Sequence, residues 1–167
     1  TTNLVKGAPL TVTKNHIANG MAQAVICNSG NANTCNANGI EIAEAMSDLV
    51  AKALNIAAED VVVASTGVIG QPLSIEPIAA GMDALASGLS AEGGKAAAEA
   101  IMTTDTVMKE VAVEFEAGGK ICHIGGIAKG SGMIHPNMAT MLVFLTTDCE
   151  NAPDMLQKAL DGDIANT

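Results

Sequence analysis

Between Gly39 and Leu54 the apolar residues Ile42, Met46, Leu49, Val50 and Ala53 recur three or four positions apart, while Glu41, Glu44, Asp48 and Lys52 fall mainly between them. That period draws one apolar stripe along a helix, with Asn38 as its candidate N-cap. Upstream, AQAVICNSG has an apolar centre and runs into NSGNANTCNANG. It predicts a short buried strand, then a loop whose side-chain amides bond its own backbone. DVVVASTG predicts a second continuous strand ending in Ser65, Thr66 and Gly67. Ser74 and Pro77 open a helix reaching about Leu89. SAEGGKAAAEAIMTT predicts a third helix, weakened by Gly93 and Gly94.

The period then shortens to two. Val111, Val113 and Phe115 alternate with Glu110, Ala112, Glu114 and Glu116, and Gly118 with Gly119 supplies a tight turn, so MKEVAVEFEAGGKICHIGG predicts a β-hairpin with one wet face. TMLVFLTTD predicts a more buried strand, and APDMLQKALDG a final helix with Pro153 in its first turn. Helices and strands intermix without a repeat or a linker. The expectation is an α/β fold, helices layered on a mixed sheet, in a single domain over residues 1–167.

Composition narrows the function classes. A hydrophobic content of 49% over 167 residues supports a substantial core, built from small aliphatic side chains and nine Met because Phe115 and Phe144 are the only aromatics. The net charge of -10, with eight Lys and no Arg, argues against a phosphate-tracking surface and so against nucleic acid as a partner. The uncharged runs 17–40 and 130–147 are too rich in Asn, Gly, Ser and Pro to span a bilayer, so no membrane partner is expected. Cys27, Cys35, Cys122 and Cys149 show no CxxC pairing and no histidine at zinc-finger spacing. They read as reduced, mostly buried thiols of a cytoplasmic protein, with no metal site. The start TTNLVKGAPL lacks Met, and the chain is expected to be a fragment at both ends.

The chemistry concentrates in KGSGMIHPNMATML, Lys129 to Leu142. As a phosphate loop it fails, because Ser131 stands where the P-loop lysine belongs. As a dinucleotide fingerprint it fails too, since His135 replaces the last glycine and Pro136 follows where a helix must begin. One remaining reading is a glycine-rich reversal between strands. The other is chemical: Thr140 lies where an irregular loop meets an apolar strand, and its hydroxyl can attack the preceding carbonyl of Ala139. Hydrolysis of the resulting ester leaves a chain that begins with Thr140, whose free amine serves as its own general base. Holding the groups together can supply effective molarities on the order of 10⁵ M or more. An N-terminal Thr needs no His135, which reads as a loop histidine.

VICNSGNANTC, VASTGVIGQPL, AIMTTDT and GGIAKGSGMIHPNMATMLVFLTTD, in that order, resemble the glutamate N-acetyltransferase, or ornithine acetyltransferase, family of arginine biosynthesis. The resemblance implies an architecture similar to N-terminal-nucleophile hydrolases and self-cleavage between Ala139 and Thr140. Thr140 would then take acetyl from N-acetylornithine and pass it to glutamate in a ping-pong reaction, with no metal and no cofactor. Thr66 and Gly67 fall on the family's oxyanion donors, and Thr103, Lys129 and Thr140 on its substrate contacts. Asn28, Asn31 and Asn33 match in type and read first as loop-fixing amides.

The family continues beyond ALDGDIANT and begins before TTN. The resemblance therefore implies a missing start and C-terminal half, no activity from this stretch alone, the remaining β-chain segment as partner, and an assembly of two α and two β chains. The alternative enzyme is a self-processing N-terminal-threonine amidohydrolase or aminopeptidase, with water as acceptor. A noncatalytic binding or assembly domain would use the glycines only for close packing.

Overall fold

The apolar run at Val61–Val63 lies in strand β2 (Val61–Val68), where Val61 and Val63 are buried in alternation and Thr66 is buried further along. The computed structural model of the chain describes residues 4–130 and 141–164. β2 pairs in parallel with β1 (Ala24–Asn31), in register from Ala24 opposite Val61 to Gly30 opposite Gly67. Parallel neighbours need a crossover, which α2 (Gly39–Leu54) provides. Its apolar stripe buries Ile42, Ala43, Met46 and Val50, and the core adds Val12, Ile26, Val61, Val63 and Met82. Met46 is fully buried, and truncation to Ala at such a site costs about 2–5 kcal/mol. Asn55 ends the helix by taking the left-handed conformation, φ 55°, and donating its N–H to Ala51 O. Asn38 holds the N-cap position without a side-chain capping bond.

A nine-residue helix, α1 (Ala8–His16), precedes these elements and was not expected from the hydrophobic pattern. It lies along the edge of β2. Thr13 Oγ1 donates to Val63 O at 2.8 Å and accepts from Val63 N–H at 2.9 Å, while His16 Nδ1 lies 2.8 Å from Val61 O. These side chains satisfy outward backbone groups that an edge strand would otherwise leave unpaired.

After α3 (Glu76–Ser87) and α4 (Gly94–Ala100) the chain forms an antiparallel sheet in the order β3 (Lys109–Ala117), β4 (Lys120–Lys129), β5 (Leu142–Thr147), followed by α5 (Pro153–Ile164). Gly118 and Gly119 join β3 to β4 with φ 58° and 76°, the pair of positive values that a two-residue primed turn demands. The α/β class and its layering of helix on sheet stand as expected. The parallel and antiparallel pairings are divided between two sheets among the described residues.

Two expectations about burial are corrected. β5 is not the more buried strand: Val143 and Leu145 are 48% and 65% exposed, and register places them on the same face as the exposed Val111 and Val113. The thiols are not mostly buried either. Cys122 is, Cys27 and Cys149 are partly exposed, and Cys35 is exposed. Alternation identifies which face of a strand is apolar but not what covers it, and covering depends on contacts remote in sequence.

Candidate active site

The parallel strands β1 and β2 end side by side, and hydrogen bonds from their last residues fasten the segments around them. Ser65 Oγ donates to Asn28 Oδ1 at 2.5 Å, and Asn28 Nδ2 to Asn31 O at 2.9 Å. Asn31 Nδ2 reaches Gln71 O at 3.0 Å, and the buried Asn33 holds Gly39 O through Nδ2 at 2.8 Å. All three asparagines are therefore engaged in fixing the loop. Ser29 Oγ lies 2.9 and 3.1 Å from the carbonyl oxygens of Ile101 and Met102, which anchors the turn carrying Thr103 to β1.

Backbone packing at the strand ends is unusually close. Gly30 and Gly67 are paired, with φ 126° and 129°, and a Cβ on Gly67 would overlap the Gly30 carbonyl. Glycine at position 67 is thus a steric requirement, and the end of β2 presents bare backbone beside the buried Thr66 hydroxyl.

Lys129, the last residue of β4, points into this place and is only 3% exposed. Its ammonium donates to Thr103 Oγ1 at 2.7 Å and to Thr66 Oγ1 at 3.4 Å. Burial pushes the nearby Cys27 thiol up to about 11, partly offset by the Lys129 charge. The structure therefore brings together Thr66, Gly67, Thr103 and Lys129, drawn from three separated stretches of sequence. Ala139 and Thr140 lie outside the described residues, as do His135 and Pro136.

Asp105 was missed in the sequence. Its side chain is fully buried and accepts from the Lys109 ammonium, from Gly130 N–H at 2.8 Å and from Thr103 N–H at 3.3 Å. The Lys109 hydrogen bond first, then the two backbone donors, hold its carboxyl well below the usual carboxylate range. One carboxylate thus ties the Thr103 turn to the backbone that follows Lys129. The available signal was a lone acidic residue amid the hydroxyls of TTDT, four positions before a lysine.

Both hydrogen bonds of the Lys129 ammonium among the described residues go to neutral hydroxyls, while Asp105 is taken by Lys109. A buried cation with neutral partners strongly favours an anion placed beside it. Each threonine accepts from Lys129, so each retains its own O–H for donation to a ligand. Among the described residues, no cluster of three or more His, Cys, Asp or Glu is arranged to hold a metal, and no helix is long and apolar enough to cross a membrane.

The ArgJ family model matches residues 1–167. The chain belongs to the ArgJ family. It is 54% identical to the arginine biosynthesis bifunctional protein ArgJ of Symbiobacterium thermophilum over 96% of its own length and 40% of that protein. It is 51% identical to that of Caldanaerobacter subterraneus subsp. tengcongensis over 100% of its length and 42% of the relative. The chain thus spans about two fifths of the curated relatives it matches. Its fold superposes on the ArgJ crystal structure from Bacillus halodurans with TM-score 0.74 and 45% identity, covering 83% of this chain and 74% of that one. It also superposes on the ornithine acetyltransferase of Mycobacterium tuberculosis in complex with ornithine, with TM-score 0.69 and 35% identity, covering 83% and 75%. The α/β architecture is the N-terminal-nucleophile-hydrolase-like one of these ArgJ structures.

Proposed function

We propose that this chain is the catalytic part of an acetyltransferase that moves acetyl from N-acetylornithine to glutamate through an acetyl ester on Thr140. The observation that carries the reading is the buried Lys129 ammonium, whose hydrogen bonds among the described residues go to the hydroxyls of Thr66 and Thr103. Both amino-acid substrates carry a carboxylate that such a cation would pair with. The names of the relatives agree with a role in arginine biosynthesis, and the ornithine found with the Mycobacterium tuberculosis neighbour is the leaving group of the first half-reaction.

In this scheme Thr140 Oγ first attacks the Ala139 carbonyl. The peptide becomes an ester, and water releases Ala139 as a carboxylate and Thr140 as a free N-terminus. The Thr140 amine then takes the hydroxyl proton as Oγ attacks the acetyl carbonyl of acetylornithine. Negative charge developing on the carbonyl oxygen is met by the Thr66 hydroxyl and the Gly67 N–H. Lys129 polarises the Thr66 hydroxyl by donating to its oxygen. Losing one such donor typically lowers the rate by about 10² to 10³. Ornithine leaves with the proton, and the amine of glutamate attacks the acetyl ester to restore Thr140. In sequence Thr140 stands two residues before Leu142, whose register partner is Lys129.

The cleaved pieces would act together with the remaining β-chain segment in the cytoplasm, as two α and two β chains. Denaturing mass spectrometry of the full-length protein beside its Thr140→Ala variant tests the reading. A fragment beginning at Thr140 is expected in the wild type and not in the variant, together with acetylglutamate formation that requires both substrates. An intact chain in both folded samples would remove self-processing. Free acetate released without glutamate would favour the amidohydrolase.

A further inference from the structure

We propose that Cys122 and Cys149 form a thiol pair that a small-molecule disulfide, such as oxidised glutathione, converts into an intramolecular disulfide. The pair lies at the end of β4 away from Lys129. Two observations bring the two residues side by side. The β4–β5 register ends with Ile124 opposite Thr147, and continuing it by two residues sets Cys122 opposite Cys149. Side-chain bonds keep the segments adjacent past the last ladder pair: Thr147 Oγ1 donates to His123 O at 2.7 Å, and His123 N–H donates to Asp148 Oδ1 at 2.7 Å. The Cys149 thiol is near enough to Cys122 to act on its ionisation. Directly opposed residues of antiparallel strands have Cα atoms about 4.5–5.5 Å apart, inside the span of about 4.4–6.8 Å that a disulfide bridges.

Exposure assigns the order of events. Cys149 is partly exposed and Cys122 is buried, so the Cys149 thiolate attacks the small disulfide and expels one thiolate. Burial, then the neighbouring Cys149 thiol and Asp148, holds the Cys122 pKa above its ordinary value and makes it the poorer first nucleophile. Once Cys149 carries the mixed disulfide, Cys122 loses its proton to solvent, attacks the Cys149 sulfur and expels the second thiolate. Two cysteine thiols have been oxidised to one disulfide, and one small disulfide has been reduced to two thiols. Cys27 on β1 and Cys35 beyond it serve as internal controls.

The consequence rests on the self-cleavage proposed above: the loop closed by Cys122 and Cys149 contains the Ala139–Thr140 junction, so in a cleaved protein the same bond would link the two pieces. The test treats the native full-length protein with oxidised glutathione, traps free thiols with an alkylating agent under denaturing conditions, and maps the peptides. The expected result is a Cys122–Cys149 cross-linked peptide, lost in either Cys122→Ser or Cys149→Ser, with Cys27 and Cys35 absent from any cross-linked peptide. Non-reducing electrophoresis of a cleaved sample should show the pieces joined. In an uncleaved sample the cross-linked peptide still reports the disulfide, which separates failure of cleavage from failure of the pair. Full alkylation of Cys122 and Cys149, a stable glutathione adduct on Cys149 with Cys122 still free, or a cross-link to Cys27 or Cys35 would overturn the proposal.

Discussion

The Lys129 ammonium donates to Thr103 Oγ1 at 2.7 Å, joining the end of β4 to a turn 26 residues earlier in sequence. The same nitrogen reaches Thr66 at the end of β2, so one buried cation connects the antiparallel sheet to the parallel pair. Replacement by the isosteric Met keeps the volume and removes the charge. Hydrogen bonds to charged groups contribute about 1.5–3 kcal/mol, which corresponds to roughly a 10- to 100-fold rise in KM for both acetylornithine and glutamate in the full-length Lys129→Met protein. Steady-state kinetics with each substrate varied in turn would measure it. Unchanged KM values would refute a carboxylate partner for Lys129.

Gly67 and Gly30 separate two kinds of backbone constraint. Both have positive φ, but a Cβ at Gly67 overlaps the opposite strand, whereas a Cβ at Gly30 meets nothing within 4 Å. Gly30→Ala should cost about 1–3 kcal/mol from conformation alone. Gly67→Ala adds overpacking of about 1–3 kcal/mol and should be clearly the less stable of the two. Urea unfolding of both variants decides this, and equal midpoints would contradict the close approach.

Asp105 supplies an acid-dependent term. Its carboxyl is held well below the ordinary value by Lys109, Gly130 N–H and Thr103 N–H, so its contribution is complete above the unfolded-state pKa of about 3.9. It is lost as pH falls toward the lower folded-state value. Asp105→Asn should lower stability by roughly 2 kcal/mol at pH 7, and the gap to the wild type should narrow progressively below about pH 4. Unfolding midpoints measured across that range test the sign. A gap that widens on acidification would show the carboxylate to be destabilising.

His123 and Asp148 titrate in opposite directions. The Asp148 carboxylate, 2.8 Å from His123 Nδ1, raises the imidazole pKa, and Glu114 adds to it more weakly. The Asp148 pKa is lowered, chiefly by the His123 N–H and then by the imidazole. The histidine contribution is present below its unfolded pKa and fades as pH rises through the raised folded value. That of the aspartate is present above its unfolded pKa and fades as pH falls through the lowered one. Proton NMR should give His123 a midpoint above the ordinary value of about 6.5, and Asp148→Asn should bring it down. A midpoint unmoved by the substitution would refute the pairing.

Much of this arrangement was legible in the sequence. The period of 3.6 in residues 39–54 and the glycine pair at 118–119 located α2 and the β3–β4 turn, because side-chain spacing and positive φ are local requirements. Thr66, Gly67, Thr103 and Lys129 are marked by the family resemblance, which by itself carries no contact among them. α1 escaped because TVT in its middle is β-branched and favours strands, leaving Pro9 in the first turn as the main helical signal. Asp105 escaped for a different reason: its spacing to Lys109 looks like an ordinary surface pair, and its other partners Gly130 and Thr103 donate from backbone, which no side-chain motif records. The exposure of Val143 and Leu145 was illegible for a third, since covering is a property of neighbours and not of the strand itself.

The contacts of Thr13 and His16 with Val63 and Val61 make one flank of the parallel pair unreceptive to another strand. A neighbouring molecule seeking to template on β2 meets a helix whose side chains have already taken its polar groups. α1 therefore occupies an edge at Val61 and Val63 that would otherwise be open to strand pairing, as well as packing the core. Stripping it away, by truncation or local unfolding, would turn an inert boundary into a growing end for fibrous assembly.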